Sequence, residues 1–283
     1  MSKKIDKQAV IDYYLSQPMT LDQVANKFNL CKPTISKILD AYNIPRYTKA
    51  KLFNPDINEH FFEEINDEFS AYFLGLIISD GNVFKDNTSR QSSISITLDS
   101  NDEYILNEFK KSVNTNTKVS HDGRGCSQIA VRSNIMADDL ANYGVIPKKS
   151  FDTYLPNISN KYMSHLIRGI FDGDGSILMK PSPKNDGRNR YLHTISFCGT
   201  HKLMQDISDY ICDNLKLNVK PKVYDYKKRL LSELKIANIH DIEALGEYIY
   251  KDANICLRRK YNKYLKFKEH YYSKNEKIKG DNK

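Results

Sequence analysis

No apolar run in this 283-residue chain approaches the ~20 residues that a membrane-crossing helix needs. Behind the lysines of the opening MSKKIDKQAV there is no hydrophobic segment of the kind a secretory signal carries. A membrane protein and a secreted protein are therefore not expected, nor is a collagen-like chain. The five cysteines, Cys31, Cys126, Cys198, Cys212 and Cys256, are odd in number, scattered and free of any CxxC pair. That excludes a zinc ribbon or a disulfide framework and predicts reduced thiols in a cytosolic compartment.

What is present is enough for a core: 40% of residues are apolar and 28% charged. The length allows about two domains with a small extra module. The net charge of +8 is uneven. Residues 1–50 carry +4 and residues 251–283 carry +7, around a centre of −3. Basic ends around a nearly neutral centre suit a protein that binds a polyanion.

Residues 1–45 are expected to be helical. Ile5, Ala9, Val10, Tyr13 and Tyr14 fall at helical spacing, and Pro18 stops that helix. Thr20 is placed to cap LDQVANKF, and Pro33 fits the first turn of a third helix. This helix, turn, helix pattern resembles the small DNA-binding helix-turn-helix modules of resolvases and many regulators. Its second helix would present Lys32, Thr34, Ser36 and Lys37 to phosphates or base edges. Residues 46–66 have no clean period and are read as a linker.

Two blocks follow with one order of elements, αββαββα. In the first, QSSISITLDS alternates strictly, Ile94, Ile96 and Leu98 on one face and Ser93, Ser95 and Thr97 on the other. Its opening helix, 67–79, ends in Gly75-Leu76-Ile77-Ile78-Ser79-Asp80-Gly81. The second block's opening helix, 161–171, runs into Gly169-Ile170-Phe171-Asp172-Gly173-Asp174-Gly175. Gly75 with Ser79, and Gly169 with Gly173, put small residues on one face of each helix, where two backbones can approach closely. An acidic residue follows, then a glycine able to take the left-handed conformation that ends helices.

Packing the helices on those faces brings Asp80 to Asp174. Two carboxylates at the negative ends of two helix dipoles repel unless a cation joins them. Hard oxygen donors with open positions favour Mg²⁺.

These residues, with the two ββαββα continuations and the segments GVIPKKSFDTYLP and NICLRRKYNKYLKF, make residues 67–265 resemble the LAGLIDADG homing endonucleases in their single-chain, two-motif form. The resemblance implies an α+β fold: two pseudo-symmetric αββαββα domains, 67–150 and 151–265, forming a DNA-binding saddle, with a basic tail at 266–283. It implies a metal-dependent double-strand break with short 3′ overhangs in a long asymmetric target. Asp80 and Asp174 would be the catalytic metal ligands, beside Gly81 and Gly175, holding Mg²⁺ or Mn²⁺. The partner would be double-stranded DNA, and the chain a monomer. Ile78 departs from the family pattern, where an Asp stands, while Asp172 keeps that position as a helix-end polar contact.

The strand alternation assigns a DNA-facing set. It comprises Ser93, Ser95, Thr97, Gln128 and Arg132 in the first block, and Arg190, Thr194, Ser196 and Lys235 in the second. Lys220 and Lys222 flank Pro221 and would reach the backbone. Lys235 and Arg132 are the candidates for a basic catalytic residue near the scissile phosphate. A non-cleaving DNA-binding regulator, or a maturase with intron RNA as its partner, is the alternative on the same fold. Without splicing blocks at its ends, the chain is expected to be free-standing rather than an intein.

Overall fold

The computed structural model describes residues 5–86, 91–147, 153–182, 191–226 and 231–280, with backbone alone at 86 and 273–280. Among them no helix is long and apolar enough to cross a membrane.

The chain opens with three helices, α1 (Lys7–Leu15), α2 (Leu21–Phe28) and α3 (Lys32–Ala41). They close on a core of their own, including Val10, Tyr14, Val24, Ile35 and Leu39. Thr20 caps α2 in a reciprocal box with Gln23, and Pro33 stands in the first turn of α3.

Residues 46–66 are not a free linker. They form α4 (Lys49–Phe53) and then send Ile57, Phe61, Phe62 and Ile65 into the core of the main body. Phe61 packs edge-on against Phe62 and Phe109. The buried Glu59 accepts hydrogen bonds from the hydroxyls of Thr48 and Ser133. The segment has no period because its apolar residues hang from turns rather than from one element.

The two blocks follow in the expected order. The first contains α5 (Glu68–Ser79), β1 (Gly81–Asp86), β2 (Gln91–Asp99), α6 (Glu103–Ser112), β3 (Ser120–His121), β4 (Cys126–Arg132) and α7 (Asn134–Asn142). The second contains α8 (Asn160–Asp174), β5 (Gly175–Pro181), β6 (Tyr191–Gly199), α9 (His201–Asn214), β7 (Lys222–Asp225), β8 (Ser232–Ile236) and α10 (Ile239–Tyr250). The last helix, α11 (Arg258–Gly280), runs through the boundary expected at 266 and buries Phe267 in the common core. Each block builds a four-stranded antiparallel sheet, ordered β1-β2-β4-β3 and β5-β6-β8-β7.

Strands β3 and β7 are short, at 2 and 4 residues. The amide of Thr117 is taken by the Thr115 hydroxyl, at 3.3 Å, ahead of β3. Pro221 has no amide to give, and pairing in β7 starts at Lys222.

Helices α5 and α8 pack on each other along their small residues. A Cβ on Gly75 would lie 2.1 Å from the Leu166 carbonyl oxygen, and one on Gly169 would lie 2.1 Å from that of Tyr72. Backbone meets backbone here, with no space for a methyl group. Gly169→Leu should therefore overpack the seam and cost about 3 kcal/mol or more. Thermal melting checks this, and a midpoint unchanged from the parent protein would contradict the packing.

Candidate active site

The helix pair delivers its two acidic residues to one corner. Asp80 caps the C-terminus of α5, and Asp174 is the last residue of α8. Both are exposed. A Cβ on Gly173 would lie 1.9 Å from Ser79 Oγ and 3.3 Å from the carboxyl carbon of Asp80, which sets the Asp80 carboxylate beside the residue preceding Asp174. The Ser79 hydroxyl turns back to donate to the Leu76 and Gly75 carbonyls, at 3.1 and 3.2 Å. That rotation lets the α8 backbone come close.

Gly81 and Gly175 do not adopt the left-handed conformation expected for them. Among the described residues the glycines with positive φ are Gly123, Gly125 and Gly144, and Gly175 is extended, with φ −92°. They open β1 and β5 instead. Glycine is required there for space: a Cβ would lie 2.5 Å from Ile77 Cα at Gly81, and 2.2 Å from the Phe171 ring at Gly175.

Behind the corner lies a buried polar network. Asp172 is fully buried, and its Oδ2 accepts from the Tyr72 hydroxyl of α5 at 2.9 Å and from the Leu257 amide at 2.6 Å. Its Oδ1 has no partner among the described residues. Burial pushes this carboxyl up to about 6, against the pull of the Leu257 amide and the Lys260 ammonium. Lys260, from the first turn of α11, is 4% exposed. It donates to the carbonyls of Phe171, Asp172 and Gly173 at 2.7, 2.7 and 3.0 Å. A cation thus sits at the negative end of the α8 dipole, where it is most favourable. Burial lowers its pKa to about 8, while the charges of Asp172, Asp80 and Asp174 hold it up.

At the other end of the same helices the fully buried Arg168 pairs with Glu68 of α5 at 2.5 Å. It also donates to the Ile255 and Ile249 carbonyls, both at 2.8 Å. Neither Arg168 nor Lys260 is singled out by the sequence pattern. One signal does exist, since Leu257, Lys260, Tyr264 and Phe267 fall at helical spacing and place a lysine on a buried face.

The sheets carry the remaining candidates on the faces turned away from the helices. Ser93, Ser95 and Thr97 alternate with buried Ile94, Ile96 and Leu98. Gln128 donates to the Thr97 hydroxyl at 3.0 Å. In the second sheet Ser196 lies in the outward row next to Thr194 but, at 6% exposed, is not the open DNA-facing residue expected, and it shares a hydrogen bond with Ser176. Lys235 pairs with Glu233 at 2.9 Å and lies over the Tyr224 ring. Lys222 stands opposite Lys235, and Lys220 lies 3.8 Å from Asp209. Arg190 falls outside the described residues.

The two basic candidates are not symmetry mates. Gly81 aligns across its sheet with Ile96 and Ile129, as Gly175 does with Phe197 and Leu234. Lys235 follows Leu234 directly, and its counterpart after Ile129 is Ala130. Arg132 lies two residues further on, opposite Ser93.

In the N-terminal module, Lys32 pairs with Asp22 at 2.8 Å and Thr34 contacts Cys31 at 3.0 Å. Lys37 is exposed. Ser36 is held by Arg46 at 2.7 Å, so the guanidinium joins the α3 surface.

No protein-family profile matches the chain. Solved structures do. The LAGLIDADG homing endonuclease I-SmaMI bound to cleaved DNA aligns with 76% of this chain and 92% of its own at a TM-score of 0.54 and 12% identity. The LAGLIDADG meganuclease I-AabMI bound to uncleaved DNA aligns with 75% and 92%, at 0.55 and 13%. The chain has the LAGLIDADG homing endonuclease fold. A stretch of 172 residues is also 23% identical to the DNA-directed RNA polymerase subunit Rpo1C of Methanocaldococcus jannaschii. It covers 55% of this chain and 19% of that subunit, so the chain matches about a fifth of that relative's length.

Within the LAGLIDADG fold the buried charges make a stability prediction. Lys260→Met leaves Asp172 and three carbonyls without their cation and should cost about 3 kcal/mol. Adding Asp172→Asn removes the stranded charge and should restore part of that loss. Chemical denaturation of both single variants and the double variant measures the coupling. Simple additivity would mean the two side chains do not act on each other.

Proposed function

We propose that the chain is a site-specific DNA endonuclease that makes a metal-dependent double-strand break with short 3′ overhangs in a long, asymmetric target. The observation that carries this reading is the corner itself, where two pseudo-equivalent helices present Asp80 and Asp174 together at the head of two antiparallel sheets. I-SmaMI and I-AabMI, which share the fold, are DNA-bound nucleases. One I-SmaMI structure holds an uncleaved target in the presence of calcium ions.

The donor set fits a hard divalent cation. Two exposed carboxylates adjoin the backbone at Gly81 and Gly175, and among the described residues no cluster of three or more His, Cys, Asp or Glu offers a softer site. Asp80 and Asp174 would hold Mg²⁺ or Mn²⁺ there. Once bound, such an ion activates water and stabilises the leaving oxygen of a phosphodiester. The chain's own contribution is position. The glycine seam fixes the spacing of the carboxylates, and Lys260 holds the end of α8 that carries Asp174. The outward sheet faces grip the duplex in the major groove. Lys235, in the outward row of Ser176 and Ser196, is the better placed basic residue for the scissile phosphate. Arg132, further out, serves as a phosphate or base contact. Because one chain supplies both acidic residues, it acts as a monomer.

Asp80→Asn and Asp174→Asn should each abolish the double-strand break in Mg²⁺ while leaving Ca²⁺-supported DNA binding intact. Cleavage assays on a randomised duplex library, with gel-shift binding in Ca²⁺, measure both. Cleavage by either variant at the parent rate would refute the mechanism. Binding by the parent protein without cleavage would leave a non-cleaving DNA binder.

The N-terminal module is assigned a second DNA contact through α3, with Lys32, Thr34, Ser36 and Lys37. Tethering two contacts to one duplex raises the effective concentration of each. Deleting residues 1–45 should shorten the footprint on one side and flatten the salt dependence of binding, leaving cleavage at excess enzyme intact. An unchanged footprint and slope would make the module a structural cap.

A further inference from the structure

Resting on the proposed DNA contact, we infer that Phe84 and Leu178 read the 5-methyl groups of thymine at matching positions in the two halves of the target. The two residues are equivalent. Each lies three residues beyond the glycine that opens its strand, Gly81 in β1 and Gly175 in β5. Phe84 stands opposite Ser93 in β2, and Leu178 stands opposite Thr194 in β6. Both point away from the helices and are 58% and 45% exposed.

A single exposed apolar side chain is ordinary. Here large apolar groups recur at one matched register position of two blocks whose outward faces are otherwise mostly polar or charged, Leu192 and Tyr224 of the second sheet apart. Neither packs on a core. The same faces carry basic side chains, Arg132 in the cross-strand row of Phe84, and Lys180, Lys222 and Lys235 around Leu178, the last of them paired with Glu233. That combination matches the major groove, where phosphates flank base edges and the thymine methyl is the apolar group on offer.

The offset from the acidic pair sets where the thymines fall. Phe84 and Leu178 each lie four residues beyond their aspartate. At ~3.3 Å each that is about 13 Å of strand, or about four base pairs at ~3.4 Å per step. The pseudo-two-fold then puts the two thymines on opposite strands, at equal distances from the centre of cleavage. The halves differ one position further out, where Leu192, 38% exposed, occupies the register position that Gln91 holds in the first sheet. The second half should accept a further thymine there. The first presents an amide, the group that pairs with adenine.

The test begins with sequencing ends cut from a randomised duplex library by the full chain in Mg²⁺. Thymine should be enriched at two positions symmetric about the cut. A selected site is then remade with deoxyuridine at those positions, which removes the methyl groups alone. Each replacement should slow cleavage about fourfold, the effect of exposing one methyl. Phe84→Ser and Leu178→Ser, both at exposed positions, should each lose the thymine-over-uracil preference in its own half only. Equal cleavage of the thymine and deoxyuridine sites, or variants that still discriminate, would overturn the inference. Absence of cleavage would overturn the nuclease reading instead. Selection of the same library for binding in Ca²⁺ then reads thymine enrichment without it, and a pool showing none overturns the methyl contact.

Discussion

The contact between the α5 and α8 backbones is the constraint on which the rest depends. Two helices normally stand 8–10 Å apart because side chains fill the space between them. Here glycines at Gly75, Gly169 and Gly173 remove that spacer, and the Tyr72 and Leu166 carbonyls lie where methyl groups would otherwise be. Close approach converts two helix ends into one corner. Without it Asp80 and Asp174 would belong to separate surfaces.

Such a seam cannot be sealed by apolar packing alone, because it brings helix termini and their unpaired carbonyls into the interior. The fold answers with buried charge from outside the seam. Lys260 caps three carbonyls of α8 while Asp172 ties Tyr72 to the Leu257 amide, and at the far end Arg168 joins Glu68 to the carbonyls of the segment before α11. Buried ion pairs add little net stability compared with apolar substitutes, but they punish misregister severely. Their distribution makes the segment from 249 to 260 a strap across both helices.

The symmetry of the two blocks is one of framework rather than of surface. The glycines, the strand registers and the sheet order repeat, yet the second block has Lys235 and Leu192 at the positions where the first has Ala130 and Gln91. One centre with two different faces is the arrangement expected of a chain that recognises an asymmetric duplex.

Much of this was legible in the sequence, because the features that specify it are local. The period-two alternation of β2, the N-cap at Thr20 and the small residues before Asp80 and Asp174 each follow from neighbours a few positions apart. The sequence by itself thus determined the two blocks, their element order and the acidic pair. Residues 46–66 escaped it because their apolar side chains belong to turns, which have no period. The glycines that open β1 and β5 were expected to take the left-handed conformation; what they supply is room beside Ile77 and Phe171, without a positive φ. Only the tertiary structure decided that Lys260 is buried, that Arg168 spans the helix pair and that Lys235 and Arg132 are not equivalent. Burial of a charge and register across a sheet are set by residues far apart in the chain, and no local pattern carries them.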